Sequence, residues 1–468
     1  MNKLRLYPVL VALLTLSWTL PAVAVSPEAL KNGIPSLAPM LQQVTPAVVS
    51  IRVTKTASSS NDFSINGQQL PEELRRYFEN LPGLNGDANG QSPYARGAGS
   101  GVIIDADAGY VITNHHVVDG ASEILVQLSD NRNFTAKLLG TDASTDVALL
   151  EIEATALVDI KFADISTVQV GDYVVAIGNP FGIGQTATAG IVSALGRAGL
   201  NNANYEDFIQ TDAAINLGNS GGALIDMEGR LIGMNTAIIS GNGGSNGIGF
   251  AVPGDMLSAV VAHLQRDGEV RRGMLGVSIA DVTPDVIAAL NIDVDFGAVV
   301  TSIVPDSAAE LAGVQISDVI VEIDGESLRD SRELRNTVGL KRQGQEVELV
   351  LYREGKKMTL NARIGGPEGQ AAVTERQPAL SAAEFRGAQL QNITPDAAAA
   401  IEAGVQIVAV APQSPAAVAG LQEGDVIVEV NRNAVTTTTE FNAALAGAGR
   451  LTALTVVRDG QRLLLFVS

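Results

Sequence analysis

Short apolar runs broken by turn residues fill the middle of the chain, and their alternation is that of strands rather than helices. Ala47-Val48-Val49-Ser50-Ile51-Arg52-Val53 is rich in β-branched residues, and similar runs recur at Gly101–Ile104, Gly109–Thr113, Ile124–Val126, Ala148–Ile152, Tyr173–Ile177, Gly190–Ala194, Leu231–Met234 and Ile248–Val252. Many short strands without intervening long helices predict a mainly β fold, an antiparallel barrel or sandwich. The first long helical period runs from Pro253 to Arg266, with Met256, Val260, Val261 and Leu264 on one face, and reads as a closing helix. Between Lys55 and Arg96 the pattern gives way to a polar stretch rich in Gly, Ser and Asn, an insertion holding one short helical segment, Leu70–Phe78.

Beyond the closing helix the chain repeats itself. Ser307–Ile323 matches Ser414–Val430, an offset of about 107 residues between Asp318 and Asp425, which suits a duplicated small domain rather than a solenoid. Gly365 to Ala379 is rich in Gly, Pro, Gln and Glu and reads as the linker between the copies. At 468 residues the chain is long enough for about three domains.

Composition removes several functions. A formal net charge of -20 repels phosphate backbones and anionic membrane surfaces, so no nucleic-acid partner is expected. The chain has no cysteine, which excludes disulfides and thiolate metal sites, and its three histidines, His115, His116 and His263, do not make a metal cluster. No phosphate-binding Gly-x-x-x-x-Gly-Lys-Ser/Thr loop is present, so neither ATP nor another cofactor is implied. Lys3 and Arg5, the apolar run Leu6–Leu20 and Ala22-Val23-Ala24 have the layout of a cleavable export signal over residues 1–24, with an uncleaved anchor as the alternative. Export from a Gram-negative cytoplasm leads to the periplasm.

Candidate chemistry centres on Asn216-Leu217-Gly218-Asn219-Ser220-Gly221-Gly222, where glycines allow the backbone to approach a reacting atom beside a serine. A tight turn and the Gly-x-Ser-x-Gly elbow of α/β-hydrolases are competing readings. The second needs a histidine after the serine, and His263, inside the amphipathic closing segment, is the one histidine there. Upstream, Thr113-Asn114-His115-His116-Val117 follows a strand, and Asp146 directly precedes the apolar run Val147–Leu150, where a carboxylate can be desolvated and held. The order is histidine, aspartate, serine.

These three motifs, followed by two repeats, resemble the HtrA/Deg family of trypsin-fold serine proteases, and the two C-terminal repeats are most similar to its periplasmic DegP/DegQ branch. The resemblance implies a trypsin-like double β-barrel over residues 25–265 with the insertion at 55–96, a PDZ domain over 271–365, a linker over 366–379 and a second PDZ domain over 380–468. It makes His116 the base, Asp146 its orienting acid and Ser220 the nucleophile, with the N–H groups of Gly218, Asn219 and Ser220 as the oxyanion hole. Asn235-Thr236-Ala237-Ile238-Ile239-Ser240 resembles the specificity loop. Its lack of charge implies an apolar pocket for small aliphatic residues, with core packing the alternative for Ile238 and Ile239.

Gly196-Arg197-Ala198-Gly199 resembles the start of the family's sensor loop, which gives Arg197 a regulatory part. Arg272-Gly273-Met274-Leu275-Gly276-Val277-Ser278-Ile279 resembles a PDZ carboxylate-binding loop and strand, and Phe385–Leu390 is a weaker version in the second copy. Leu217 departs from the arginine these proteases commonly carry before Gly-Asn-Ser. The expected activity is ATP-independent cleavage of unfolded or misfolded exported proteins, recognised partly by their C-terminal segments, in homotrimers that build larger cages. Tyr77 and Phe78 in the insertion are expected to touch another subunit. A chaperone or peptide-binding scaffold, alone or alongside proteolysis, is the alternative.

Overall fold

The computed structural model describes residues 30–31, 34–56, 64–65, 68–69, 94–179, 184–199, 205–216, 218–238, 245–366, 387–393, 403–418, 420–446 and 451–467. The expected export signal 1–24, the segment Leu70–Phe78, Leu217, Ile239, Ser240, Phe385, Arg386 and nearly all of the linker lie outside the described residues.

The first sheet is built from β1 (Val48–Thr56), β2 (Tyr94–Asp105), β3 (Tyr110–Thr113), β4 (Ala121–Gln127), β5 (Asn133–Thr135), β6 (Lys137–Asp142) and β7 (Val147–Glu151). Its order is β6-β7-β3-β2-β1-β4-β5, antiparallel throughout. Among the described residues no pairing joins the two end strands, so this half is a rolled sheet rather than a closed barrel. The second half closes fully: β8 (Tyr173–Gly178), β9 (Thr186–Arg197), β10 (Phe208–Thr211), β11 (Ala223–Ile225), β12 (Leu231–Ile238) and β13 (Gly249–Pro253) run β8-β9-β10-β13-β12-β11.

One apolar core spans both halves. Val48, Ile51, Val111, Ile112 and Leu149 of the first sheet share it with Val175, Ile177 and Ile225 of the barrel. Helix α2 (Gly254–Asp267) seals this core with Met256, Leu257, Val260, Val261 and Leu264, which extends the expected stripe by one residue. Burying such side chains is worth roughly 1.5–3 kcal/mol each, enough to fix the two halves against each other and define a crevice between them. The two histidines stand just past β3, as expected, on a single helical turn, α1 (His115–Val118).

The repeats are two small modules in one continuous sheet. The first contains β14 (Val277–Asp281), β15 (Ala298–Ile303), β16 (Val319–Ile323), α3 (Ser331–Leu340), β17 (Glu346–Arg353) and β18 (Lys356–Arg363). The second contains β19 (Ala388–Asn392), β20 (Val405–Val410), β21 (Val426–Val430), α4 (Thr438–Ala446), β22 (Thr452–Arg458) and β23 (Gln461–Val467). Asp330-Ser331-Arg332-Glu333 begins α3 with reciprocal capping: Asp330 Oδ1 accepts from the Glu333 N–H at 2.8 Å and Glu333 Oε2 from the Arg329 N–H at 2.6 Å.

The matched aspartates of the repeat play one part twice. Asp318 and Asp425 are fully buried, and each carboxylate takes two bonds from an arginine, at 2.8 and 2.7 Å from Arg353 and at 2.6 and 2.7 Å from Arg458. The modules meet where Ser302 of β15 pairs with Leu463 of β23, over a shared apolar cluster that includes Leu290, Val299, Val319, Val350, Leu451 and Leu464. That contact leaves the outer edge of β14 unpaired beside α3 among the described residues.

Candidate active site

The crevice collects the three predicted motifs from separate elements. Asp146 ends the turn between β6 and β7 with φ 57°, a left-handed conformation that only a few non-glycine residues adopt. That twist lets one residue hold α1 from two sides. Its carbonyl accepts from the His115 N–H at 3.1 Å and from Asn114 Nδ2 at 3.0 Å. Its carboxylate accepts from the His116 N–H at 3.0 Å and lies 2.8 and 3.0 Å from His116 Nδ1. Burial pushes this carboxyl up, but the His116 ring, the Thr236 hydroxyl and the His116 N–H together hold it below the ordinary aspartate value.

Thr236 joins the barrel to this pair. Its Oγ1 donates to Asp146 Oδ2 at 2.7 Å and lies 3.1 Å from Asn114 Nδ2, and its backbone carbonyl accepts from Ser220 Oγ at 3.1 Å. The acid and the serine are therefore bridged by one residue, expected at the sequence level only to line a specificity loop. Ala237 and Ile238 continue the same strand; Ile239 and Ser240 lie outside the described residues.

The serine loop is clamped by its neighbours. Ser100 N–H donates to the Ser220 carbonyl at 2.8 Å, Ser100 Oγ donates to the Gly218 carbonyl at 2.5 Å, and Gly221 N–H donates to the Asn235 carbonyl at 2.8 Å. Gly221, at φ 84°, could not carry a Cβ, which would run into the Ser100 carbonyl and Thr113 Oγ1. Gly218 also has a positive φ, 91°. The N–H of Asn219 donates to the Asn216 carbonyl at 3.0 Å, within the turn. Ser100 had no sequence signal of its own; Asn114 stood inside the histidine motif but without an assigned part.

His115 is turned away from this pair, with Nε2 3.9 Å from Asp119, and His263 is buried with Nε2 3.0 Å from the Leu340 carbonyl. That histidine therefore packs the closing helix against the first repeat module and has no place in the crevice.

Arg197 ends β9, and its Nε donates to Gln210 Oε1 at 3.0 Å. Further along the chain, three consecutive residues, 205–207, meet the first module. Tyr205 packs so tightly on Gly339 of α3 that no Cβ would fit there, the Glu206 carbonyl accepts from Asn336 Nδ2 at 3.0 Å, and Asp207 lies 3.8 Å from Arg329. Burial pushes the Asp207 carboxyl up to about 7; Arg329 opposes the shift, while Asp255 and Glu333 add to it. In that module, Leu275 is buried, Gly276 carries a positive φ of 80°, and Val277, Ser278 and Ile279 lie half-buried on the open-edged strand β14. An edge strand beside a helix is the geometry that accepts an added peptide strand. Among the described residues no cluster of side chains could hold a metal ion.

Comparison with known proteins agrees along the length of the chain. A trypsin-like peptidase domain model matches residues 99–234, and PDZ domain models match residues 273–364 and 406–458. The periplasmic pH-dependent serine endoprotease DegQ of Escherichia coli (strain K12) is 44% identical over 459 residues, spanning 97% of this chain and 96% of that protein. The periplasmic serine endoprotease DegP of the same organism is 40% identical over 464 residues, 95% of this chain and 94% of that protein. Among solved structures, the HtrA-type protease AlgW with tripeptide aligns with a TM-score of 0.54 at 39% identity, covering 72% of this chain and 99% of that one. The chain thus belongs to the HtrA/Deg family and is a serine endoprotease of its DegP/DegQ type, a trypsin-like domain followed by two PDZ domains.

Proposed function

We propose that His116, Asp146 and Ser220 carry the hydrolysis, and that the substrates are unfolded or misfolded polypeptides in the periplasm. In this reading the Ser220 hydroxyl turns from the Thr236 carbonyl to His116, which takes its proton as the oxygen attacks the scissile carbonyl. Asp146 stabilises the imidazolium through Nδ1, and its depressed pKa keeps it charged throughout. The N–H groups of Gly218 and Ser220 receive the oxyanion, the Asn219 N–H being held by the Asn216 carbonyl; losing one such donor typically costs about 3–4 kcal/mol. His116 then protonates the leaving amine, and water releases the acyl group by the same steps. The hydrogen-bonded path His116–Asp146–Thr236–Ser220 is the observation that supports this assignment most directly.

The residues after Thr236 would line an apolar pocket for small side chains, and Arg197 would report sensor-loop contacts to the serine loop. Leu275–Ile279 would take the C-terminal segments of clients, the carboxylate resting on the Leu275–Gly276 loop. The N-terminal signal would deliver the chain to the periplasm, where both named relatives work, and the protein would act as a homotrimer able to build larger cages. The pH dependence named for the Escherichia coli relative has a candidate seat here in Asp207. The test of the hydrolytic reading is Ser220→Ala, shown by circular dichroism to be folded: casein cleavage should disappear, and undiminished cleavage would refute the assignment. The open edge of β14 also favours client binding separable from hydrolysis. Ser220→Ala should still suppress aggregation of a denatured client, and failure to do so removes that second activity.

A further inference from the structure

The groove of the first PDZ module changes character along its length. Side chains alternate between the two faces of a strand, so Val277, Ile279 and Asp281 of β14 point the same way. The irregularity in its pairing with β15 lies on the β15 side, between Val300 and Ser302, and leaves this alternation unbroken. Val277 and Ile279 pack against the cluster that holds Leu334 and Val338 of α3. Asp281, at the far end, bonds the first residue of the same helix: its Oδ1 accepts from Ser331 Oγ at 2.6 Å and from the Ser331 N–H at 3.0 Å. The floor is therefore apolar beside the carboxylate loop and ends in an exposed acid.

The charge of that acid is not taken up within the fold. Both Ser331 bonds go to Oδ1, and among the described residues Oδ2 has no partner and no cation pairs with Asp281. The arginines on or beside α3 are engaged elsewhere: Arg329 pairs with Glu333 at 3.1 Å, Arg332 with Asp330 at 2.9 Å, and Arg335 acts electrostatically on Tyr205. The second module builds the same closure without a charge. Asn392, the last residue of β19, accepts from the N–H of Thr438, the first of α4, at 2.7 Å. An amide thus suffices to join groove strand to groove helix, and the carboxylate at Asp281 is not required for closure.

We propose that Asp281 is a specificity-determining residue of the first groove, selecting C-terminal segments that carry lysine or arginine at the fifth position from their end. The proposal rests on the reading of Leu275–Ile279 as the seat of the peptide strand. A peptide whose carboxylate lies on the Leu275–Gly276 loop must run antiparallel to β14 along its free edge. Its last residue then stands opposite Val277, its third-last opposite Ile279 and its fifth-last opposite Asp281, and these three side chains share the face towards α3. The first two meet apolar floor. The fifth-last meets a carboxylate already held in place by Ser331, so little further ordering is needed when a cation pairs with it. Clients are thereby read at two points, a free apolar terminus and a basic residue upstream of it.

The test uses the full-length protein with Ser220→Ala, which removes the proposed nucleophile, and short fluorescent peptides read by anisotropy. All end in a free carboxylate with valine at the last and third-last positions, and the fifth-last is lysine, glutamine or glutamate. At low ionic strength the lysine peptide should bind about fivefold more tightly than the glutamine one and the glutamate peptide about fivefold more weakly, the spread shrinking as salt is added. Asp281→Asn keeps an oxygen for Ser331, so it should bind the glutamine peptide as before and the other two no differently. Moving the lysine to the fourth-last position preserves the peptide's charge but turns the side chain to the opposite face, and should forfeit the gain. Equal affinity for the lysine and glutamine peptides, a preference that survives Asp281→Asn, or an undiminished gain from a fourth-last lysine would overturn the proposal. The last comparison needs no change in the groove, so it decides even if Asp281→Asn does not fold. Failure of the groove reading would look different: no peptide would bind, or amidating the C-terminus would leave every affinity unchanged, and the proposal would fall with it.

Discussion

Replacing Thr236 with valine keeps the shape of the side chain and removes the hydroxyl that joins the barrel to the proposed triad. Its Oγ1 donates to Asp146 Oδ2 at 2.7 Å in a buried setting, a charge-assisted bond worth about 1.5–3 kcal/mol. Asn114 Nδ2 would also lose its 3.1 Å contact but keep the Asp146 carbonyl at 3.0 Å, so little is added there. The Thr236 carbonyl continues to receive the Ser220 hydroxyl, because it is backbone. If about 2 kcal/mol of this bond stabilises the carboxylate opposite the imidazolium, kcat/KM falls roughly 30-fold.

The bond is also one of the causes holding the Asp146 pKa down, after the His116 charge and its ring bond. A group with a depressed folded pKa contributes stability above its unfolded value and loses it as pH falls through the folded one. Losing the Thr236 donor raises the folded pKa, so both the acid limb of kcat/KM and the acid unfolding midpoint should move to higher pH. The assay is steady-state hydrolysis of a short amidated peptide across the acid range, with Thr236→Ser as the control that restores the donor. A Thr236→Val enzyme with wild-type kcat/KM and an unmoved acid limb would refute the claim that this hydroxyl orients the acid.

Three further outcomes are expected. Asp207 sits near pKa 7 in the fold, so between about pH 4 and 7 the folded state binds the extra proton and stability falls as pH rises through that window. The penalty is on the order of 4 kcal/mol, and Asp207→Asn should flatten the slope of thermal midpoint against pH relative to wild type; an identical slope would exclude this carboxyl. Asp318→Asn leaves Arg353 without its buried counter-ion and should cost about 3 kcal/mol in urea unfolding of the first PDZ module, with Asp425→Asn doing the same to the second. Leu464→Ala opens the shared cluster between the modules and should cost about 2–3 kcal/mol, seen as faster hydrogen exchange in β15 and β16; unchanged exchange would mean that the modules are not docked in solution.

What could be read from the chain and what could not divide along one physical line. The strands around Val48–Val53 and Val147–Leu150, the closing helix and the duplication at Asp318 and Asp425 were legible because side-chain period and self-similarity are local properties. The proposed trio His116, Asp146 and Ser220 could be picked out because each sits in a short motif whose neighbours do visible work: Gly221 clears the Ser100 carbonyl, and the apolar run after Asp146 buries the strand that holds it. The rest depends on pairs without any local signature. Thr236 carries one bond to Asp146, 90 positions away, and Arg272 one to Asp142, 130 away; neither leaves a mark on its own neighbourhood. The partners of the buried aspartates, Arg353 and Arg458, fall between these cases, since each closes its repeat at a similar distance and could have been found by extending the alignment. The consequence is specific to a protease of this build. Residues proposed to perform the reaction are marked by what the reaction demands of their neighbours, whereas those that tie the PDZ modules to the protease domain are ordinary polar side chains until the chain folds and brings them together.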